Sequence, residues 1–201
     1  VEKYCKKNAI LATNTSVMSI TEIAQKTNNK ARVVGTHFWN PPYLIPLVEV
    51  VKSDYTSDEV FDTTYNLLKK VNKKPVKVNK DVPGFLANRL QHALWREAIS
   101  IVENGIADAA TVDEAVKYGF GLRLPYLGPM ENADMVGLDL TYSIHDYILK
   151  HLECSKEPSK ILREKFERGE LGFKTGLGFR RWTEEEVKKS NEGLREYLIK
   201  V

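Results

Sequence analysis

The sequence predicts a two-part protein in which an α/β region is followed by an all-helical region. Up to about Lys80, short apolar runs typical of buried strands alternate with helical patterns. Beyond Lys80, apolar residues recur at helical spacing and almost no strand pattern remains. The 42% hydrophobic and 28% charged content is typical of a globular protein. We therefore expect one domain over residues 1–80 and a second over residues 81–201.

In the first region, four apolar runs indicate strands and two patterns indicate helices. The first helix is predicted from Ile20 to Asn28, and the second begins at a capping box formed by Thr56 and Glu59. Three or four strands make only half of a sheet, and no G-x-G-x-x-G sequence follows a strand. We therefore expect the chain to begin in the middle of a fold, as a fragment or truncated form. The predicted strands are 9–12, 32–35, 47–51 and 75–78.

The second region contains a series of helices with recognisable ends. A long helix from Phe85 to Asn104 is stopped by Gly105, and a helix opened by a capping box at Thr111 and Glu114 is stopped by Gly119. Two more helices are predicted at about 132–152 and 159–168, and the last begins at a capping box formed by Thr183 and Glu186.

Charge and composition exclude several classes of protein. The 30 basic and 27 acidic residues are interleaved, so no basic stripe points to nucleic acid. No apolar run is long enough for a membrane span, and the polar start at Val1 does not resemble a signal peptide. Cys5 and Cys154 make neither a disulfide framework nor a zinc site. These features predict a cytoplasmic protein without a metal site.

His37 and Glu49 are the strongest candidates for catalytic chemistry. His37 follows the apolar residues Val33 and Val34, where a strand of an open α/β sheet would end and where ligands collect. Glu49 lies inside an apolar strand, where a buried charge needs a partner. A carboxylate on the next strand would orient the imidazole and stabilise its protonated form, which makes a general-base pair. The alternatives are a structural histidine and an edge strand on which Glu49 faces water.

Ser16 and Asn88 are two further polar candidates at the starts of elements. Ser16 lies in a strand-to-helix turn, and Asn88 lies one turn into the long helix after Pro83 and Gly84. Taken alone, both positions favour a simple capping or solvent-exposed role.

Several blocks of the sequence resemble the 3-hydroxyacyl-CoA dehydrogenase family. Their order and approximate spacing match from about Ile10 to Trp182. The likeness implies the remainder of a Rossmann-type NAD-binding domain followed by a helical domain for substrate binding and dimerisation. The matching blocks are 14–16, 37–41, 47–50, 83–90, 128–129 and 174–179.

The resemblance assigns roles to individual residues. His37 would remove the hydroxyl proton of an acyl-CoA substrate, as in fatty acid β-oxidation, and Glu49 would orient it. Ser16 and Asn88 would hold the substrate's 3-oxygen, with Ser16 also touching the nicotinamide. Asn40 and Lys174 match positions that contact NAD in the family. The helical domain implies a homodimer.

Two departures from the family pattern leave alternatives open. The glycine fingerprint and the acidic ribose-binding residue are absent, so we expect this polypeptide to be inactive alone, and NADP stays an alternative to NAD. The segment 119–129 is longer than usual and resembles the branch of L-gulonate and carnitine dehydrogenases and lambda-crystallin. Arg123 could there pair with a substrate carboxylate, or be an ordinary surface arginine. The rival functions are a dehydrogenase of a small hydroxy acid and a non-catalytic dimerisation module.

Overall fold

The structure is a computed structural model that describes residues 1–201 and divides the chain into two compact units. The first comprises Val1–Gln91 together with Leu194–Val201, and the second comprises His92–Gly193. None of the helices combines the length and the apolar content that crossing a membrane requires.

The first unit is built on a four-stranded sheet with two helices inserted between its strands. Neighbouring strands follow the order of the chain; the first pair and the last pair are parallel, whereas the middle pair is antiparallel. Strands and helices alternate, as the sequence predicted. The strands are β1 (Leu11–Thr13), β2 (Val33–Phe38), β3 (Leu47–Val51) and β4 (Lys74–Val78), and the helices are α1 (Ile20–Ala24) and α2 (Asp58–Lys70).

Each face of this sheet has its own hydrophobic core, because successive side chains of a strand point to opposite sides. On one face, valines of β2 and β3 pack with Phe61 and Leu68 of α2. On the other, Val33, Val51 and Val78 pack with Phe85 and with the buried residues of α1. The second face also carries the end of β2, where the candidate histidine lies.

The bounds of several elements in the first unit differ from the prediction, and β1 covers Leu11–Thr13 rather than 9–12. Strand β2 continues to Phe38, and α1 ends at Ala24 rather than Asn28. The cap of α2 is Ser57, whose hydroxyl accepts from the Val60 N–H, so the predicted Thr56 cap was wrong by one residue. The Thr56 hydroxyl instead donates to the carbonyl of the buried residue Val33 at 2.6 Å.

The rest of the chain is helical, as predicted. Helix α3 begins in the first unit and α8 ends in it. The helices are α3 (Ala87–Glu103), α4 (Ala109–Tyr118), α5 (Pro129–Val136), α6 (Leu138–Ile148), α7 (Lys160–Glu167) and α8 (Glu184–Lys200).

Two predictions about helix ends in this region were wrong, whereas the stop of α4 at Gly119 and the start of α8 were right. Helix α4 is capped by Asp108, whose carboxylate accepts from the Thr111 N–H at 2.8 Å, so Thr111 is not the cap. The helix predicted over 132–152 is two helices, because Gly137 has a φ of 100° that a helix cannot contain. The Thr183–Glu186 capping box is confirmed by reciprocal hydrogen bonds.

Candidate active site

His37 and Glu49 are brought together by the register of two antiparallel strands. His37 on β2 lies directly opposite Glu49 on β3, so both side chains leave the sheet on the same face. The Nδ1 atom of His37 lies 2.7 Å from Oε2 of Glu49. The contact that the sequence suggested is therefore present, and it is made between two buried side chains.

The Glu49 carboxylate has no solvent exposure and lies among four hydrogen-bond donors. Oε2 meets His37 and also accepts from the indole N–H of Trp39 at 3.1 Å. Oε1 accepts from the backbone N–H groups of Leu86 and Ala87, both at 2.9 Å. Burial by itself raises the pKa of Glu49, but these donors, led by Ala87 N–H and His37, outweigh it and hold the pKa below its usual value. Glu49 is therefore an ionised, buried carboxylate.

The two backbone donors belong to the start of helix α3, and an unusual turn places them there. Gly84 and Phe85 have consecutive positive φ angles of 76° and 48°. The turn places the Phe85 ring in the core and points the next two N–H groups at Glu49. The first N–H groups of a helix have no carbonyl partner within it, so a carboxylate at this end satisfies them and is stabilised by them.

The His37 ring is held so that one nitrogen remains free. The residue is 5% exposed, and the rings of Trp39 and Phe85 lie 5.8 and 5.7 Å from it. Because Glu49 is ionised, Nδ1 carries the proton that binds Oε2. No group of the chain hydrogen-bonds to Nε2, so its lone pair is available to a substrate.

Polar residues at the end of β1 lie near the end of β2. The two strands are parallel, with Thr13 opposite Gly35, so their carboxyl ends share one edge of the sheet. The Asn14 side chain accepts from the N–H of Phe38 at 2.9 Å. The Asn88 amide donates to the carbonyl of Ser16 at 3.4 Å. The structure thus brings Ser16 and Asn88 into contact, while neither the Ser16 hydroxyl nor the exposed Asn40 side chain has a partner in the chain.

The two remaining predicted residues, Arg123 and Lys174, lie in the second unit. Arg123 is exposed and follows a single 3-10 turn at Phe120–Leu122. Lys174 is exposed in a tight loop between the bridged residues Gly172 and Leu177. Their roles in substrate and NAD binding remain predictions.

Sequence reasoning missed several groups that the structure places around the pair. Trp39 is two residues from His37, so strand alternation already placed both on one side of the sheet. A buried carboxylate also demands more donors than one histidine supplies. Nothing in the sequence showed that the N–H groups of Leu86 and Ala87 would be among them, since that depends on how the chain turns at Gly84.

Comparison with known families agrees with the resemblance seen in the sequence. Residues 1–82 match the sequence model of the 3-hydroxyacyl-CoA dehydrogenase NAD binding domain, and residues 84–182 match that of the same enzymes' C-terminal domain. The chain belongs to the 3-hydroxyacyl-CoA dehydrogenase family. The two matched segments divide the chain at residue 83, whereas the first boundary between its two compact units falls between Gln91 and His92.

Individual members of the family resemble the chain over most of its length. It is 39% identical over 180 residues to a 3-hydroxybutyryl-CoA dehydrogenase of Clostridioides difficile, covering 89% of this chain and 63% of that protein. It is 35% identical over 182 residues to 5-formyl-3-hydroxy-2-methylpyridine 4-carboxylate 5-dehydrogenase of Mesorhizobium japonicum, covering 90% and 59%. The chain thus spans about three fifths of the length of these relatives.

A solved structure is similar in three dimensions as well. The crystal structure of a 5-formyl-3-hydroxy-2-methylpyridine 4-carboxylic acid 5-dehydrogenase, described as an NAD+ dependent dismutase, has a TM-score of 0.95 with this chain at 32% sequence identity. The similarity covers 98% of this chain and 64% of that one.

Proposed function

We propose that the protein containing this chain oxidises an L-3-hydroxyacyl-CoA to the 3-ketoacyl-CoA, with NAD as the oxidant. The observation that carries the proposal is the buried Glu49–His37 pair with a free Nε2. The relatives named 3-hydroxybutyryl-CoA dehydrogenase support this substrate class.

His37 is the general base of the proposed reaction. The Nδ1 proton stays bound to Glu49, so Nε2 is the atom that takes the proton of the substrate's 3-hydroxyl group. A positive charge then develops on the imidazole, and the adjacent ionised carboxylate stabilises it. A positioned base of this kind typically contributes roughly 100- to 10,000-fold to the rate.

Ser16 and Asn88 are proposed to hold the substrate oxygen. Each can donate a hydrogen bond, and their contact at 3.4 Å keeps them at one edge of the sheet. Asn88 is the second residue of α3, and the first N–H of that helix is bound to Glu49. The carboxylate that orients the base therefore also anchors the helix that carries Asn88. This arrangement would fix the substrate hydroxyl relative to the base.

The groups at the ends of β1 and β2 fit the nicotinamide part of NAD. The unpartnered Ser16 hydroxyl and Asn40 amide can both donate and accept, as a carboxamide requires, and the exposed Val17 and Met18 offer apolar surface to a ring. When bound, the nicotinamide supplies the acceptor for the hydride that leaves C3 of the substrate. Lys174 is proposed as a further NAD contact on the family resemblance alone.

A second candidate substrate class is a small hydroxy acid. The relative with the TM-score of 0.95 is named for a pyridine carboxylate and not for a CoA thioester. Arg123 is exposed, and its guanidinium can pair with such a carboxylate.

The same protein is proposed to form a homodimer through its helical unit. No hydrophobic side chain of the second unit is fully buried, and α6 exposes Leu138, Leu140, Tyr142, Ile144 and Tyr147. Large apolar side chains exposed in this number usually mark an interface. A second copy of the chain fits because the exposed helix would meet an identical apolar surface across a two-fold axis.

Steady-state assays of NADH formation by the full-length protein test the proposal. The substrates compared are L-3-hydroxybutyryl-CoA, L-gulonate, L-carnitine and 5-formyl-3-hydroxy-2-methylpyridine 4-carboxylate. We expect the CoA thioester to give the highest kcat/KM. A higher value for a small carboxylate, lost selectively in Arg123→Ala, would transfer the assignment to the second class. Turnover of none of them, without NAD binding, would leave only a non-catalytic dimerisation module.

A further inference from the structure

Trp39 is a neighbour of the His37–Glu49 pair to which the proposed reaction gives no role. It directly follows β2 and is half-buried. Its indole N–H donates to Oε2 of Glu49 at 3.1 Å, whereas the indole groups of Trp95 and Trp182 have no hydrogen-bond partner in the chain. Of the three tryptophans, only Trp39 is tied through its nitrogen to a buried charge.

The indole takes the last free acceptor position of the Glu49 carboxylate. A carboxylate offers about four lone-pair positions. Leu86 and Ala87 take those of Oε1, and His37 takes one of Oε2, so Trp39 fills the other. With all four occupied, rotation of the carboxylate would break several bonds at once, and no water can bind Oε2.

Trp39 also restrains the base itself. Its ring lies 5.8 Å from the His37 ring at an angle of 56°. The same side chain therefore contacts the imidazole and fixes the oxygen to which Nδ1 is bound.

We propose that Trp39 is a positioning residue that holds Oε2 of Glu49 in the orientation required by His37 and keeps water from their hydrogen bond. The inference rests on the proposed function, in which Nε2 of His37 accepts the substrate proton. Loss of the indole N–H would leave room for water at Oε2 and would loosen the imidazole. Small losses of alignment are costly in proton transfer.

The first test separates the N–H group from the bulk of the ring. In the full-length protein, Trp39→Phe and replacement of Trp39 by 3-benzothienylalanine, which keeps the bicyclic ring but has sulfur in place of N–H, should each lower kcat by roughly tenfold with little change in KM. Full activity of the benzothienyl variant would overturn the proposal, because packing alone would then explain the tryptophan.

A double-mutant cycle with Glu49→Gln supplies the matched control. If Trp39 acts through the carboxylate, Trp39→Phe should lower kcat by less than about twofold in the Glu49→Gln background. An equal loss in both backgrounds would show that Trp39 acts independently of Glu49 and would refute the positioning role.

A spectroscopic readout does not depend on turnover. In the wild-type protein, the Nδ1 proton of His37 should give an NMR resonance protected from exchange with water, and Trp39→Phe should abolish that protection while the fold is kept. If the wild type turns over no hydroxy substrate but this effect is found, the proposed function fails and the positioning role stands. Unchanged protection in Trp39→Phe overturns the positioning role, whatever the activity.

Discussion

The two units of the molecule bury their apolar residues in opposite ways. All the fully buried hydrophobic side chains, from Ile20 to Phe85, belong to the first unit, which has a core on each face of its sheet. In the second unit, residues as large as Tyr142 remain 74% exposed. A sheet covered on both faces encloses its own cores, whereas the helical unit by itself leaves many of its large apolar side chains exposed.

The charged groups of the two units differ in the same sense. In the first unit, the ionised Glu49 is enclosed by donors and faces a histidine with a free nitrogen. In the second unit, Arg168 and Lys165 hold the pKa of Glu170 at about 2, but all three residues of this ion-pair cluster retain contact with solvent. A large pKa shift is therefore no marker of function here, because it also arises from ordinary ion pairing. The enclosed pair is what distinguishes the site.

The strongest test of this comparison is removal of the base from the first unit. His37→Asn should lower kcat/KM by roughly 1,000- to 10,000-fold, because no other group replaces Nε2 as the proton acceptor. Stopped-flow or steady-state assays of NADH formation measure the loss of kcat/KM. Light scattering should show that the oligomeric state is unchanged. Activity within tenfold of the wild type would remove catalysis from this unit.

Glu49→Gln should have the next largest effect, on both rate and stability. We expect a loss of about 100-fold in kcat, since the neutral amide stabilises the charged imidazole poorly. The free energy of unfolding should fall by about 2–4 kcal/mol, because in either orientation the amide NH₂ would face donors that now bind a carboxylate oxygen. Urea titrations monitored by circular dichroism measure this loss.

The pH dependence of that stability difference has a definite sign. The pKa of Glu49 is below its ordinary value of 4.5 in the folded protein, so the unfolded chain binds the proton more readily. The stabilisation by Glu49 is therefore complete above pH 4.5 and is lost as the pH falls through the lower folded value. The difference in the free energy of unfolding between the wild type and Glu49→Gln should therefore become smaller as the pH is lowered. A gap that widens below pH 4.5 would contradict the ionised carboxylate.

A change in the second unit should affect assembly and not the chemistry directly. Leu138→Glu together with Tyr142→Lys would place charges on the exposed apolar surface of α6. We expect the dimer dissociation constant to rise by about 100-fold, as desolvating two charges opposes association. Analytical ultracentrifugation measures the shift, and the matched exposed variant Lys188→Glu on α8 is the control. Unchanged association would exclude α6 from the interface.

The smallest effects come from a pair of glycines, one in each unit. A Cβ at Gly35 would lie 2.9 Å from Ile20 Cδ1 and from Val51 Cβ, so Gly35→Ala should destabilise the protein by about 1–3 kcal/mol. A Cβ at Gly193 meets nothing within 4 Å in α8, so Gly193→Ala should stabilise it by up to about 1 kcal/mol through helix propensity. Thermal unfolding compares the two. Equal changes in stability for Gly35→Ala and Gly193→Ala would show that the tighter packing around Gly35 has no effect on stability.

Local patterns in the sequence predicted the kinds of element well and their ends less well. The apolar spacing of the long helix indicated α3, and reciprocal hydrogen bonds at Thr183 and Glu186 follow from a local signature. The prediction that Thr56 caps α2 was wrong because its hydroxyl donates a hydrogen bond to the carbonyl of Val33, which lies 23 residues away in the sequence. A sequence pattern compares only neighbouring residues, so it does not reveal that a long-range hydrogen bond competes with a local helix cap.

The sequence by itself determined the two-part architecture and which segments are strands or helices. It also singled out Glu49 as a candidate site residue, because a charged residue lies there within an apolar strand. Only the tertiary structure decided that β2 and β3 run antiparallel, which sets His37 opposite Glu49. The tertiary structure alone also determined that Trp39 and the N–H groups at the start of α3 donate the remaining hydrogen bonds to the Glu49 carboxylate. The physical reason is distance along the chain. Sequence periodicity depends on residues that are close along the chain. The buried charge of Glu49, in contrast, is stabilised by hydrogen-bond donors up to 38 residues away.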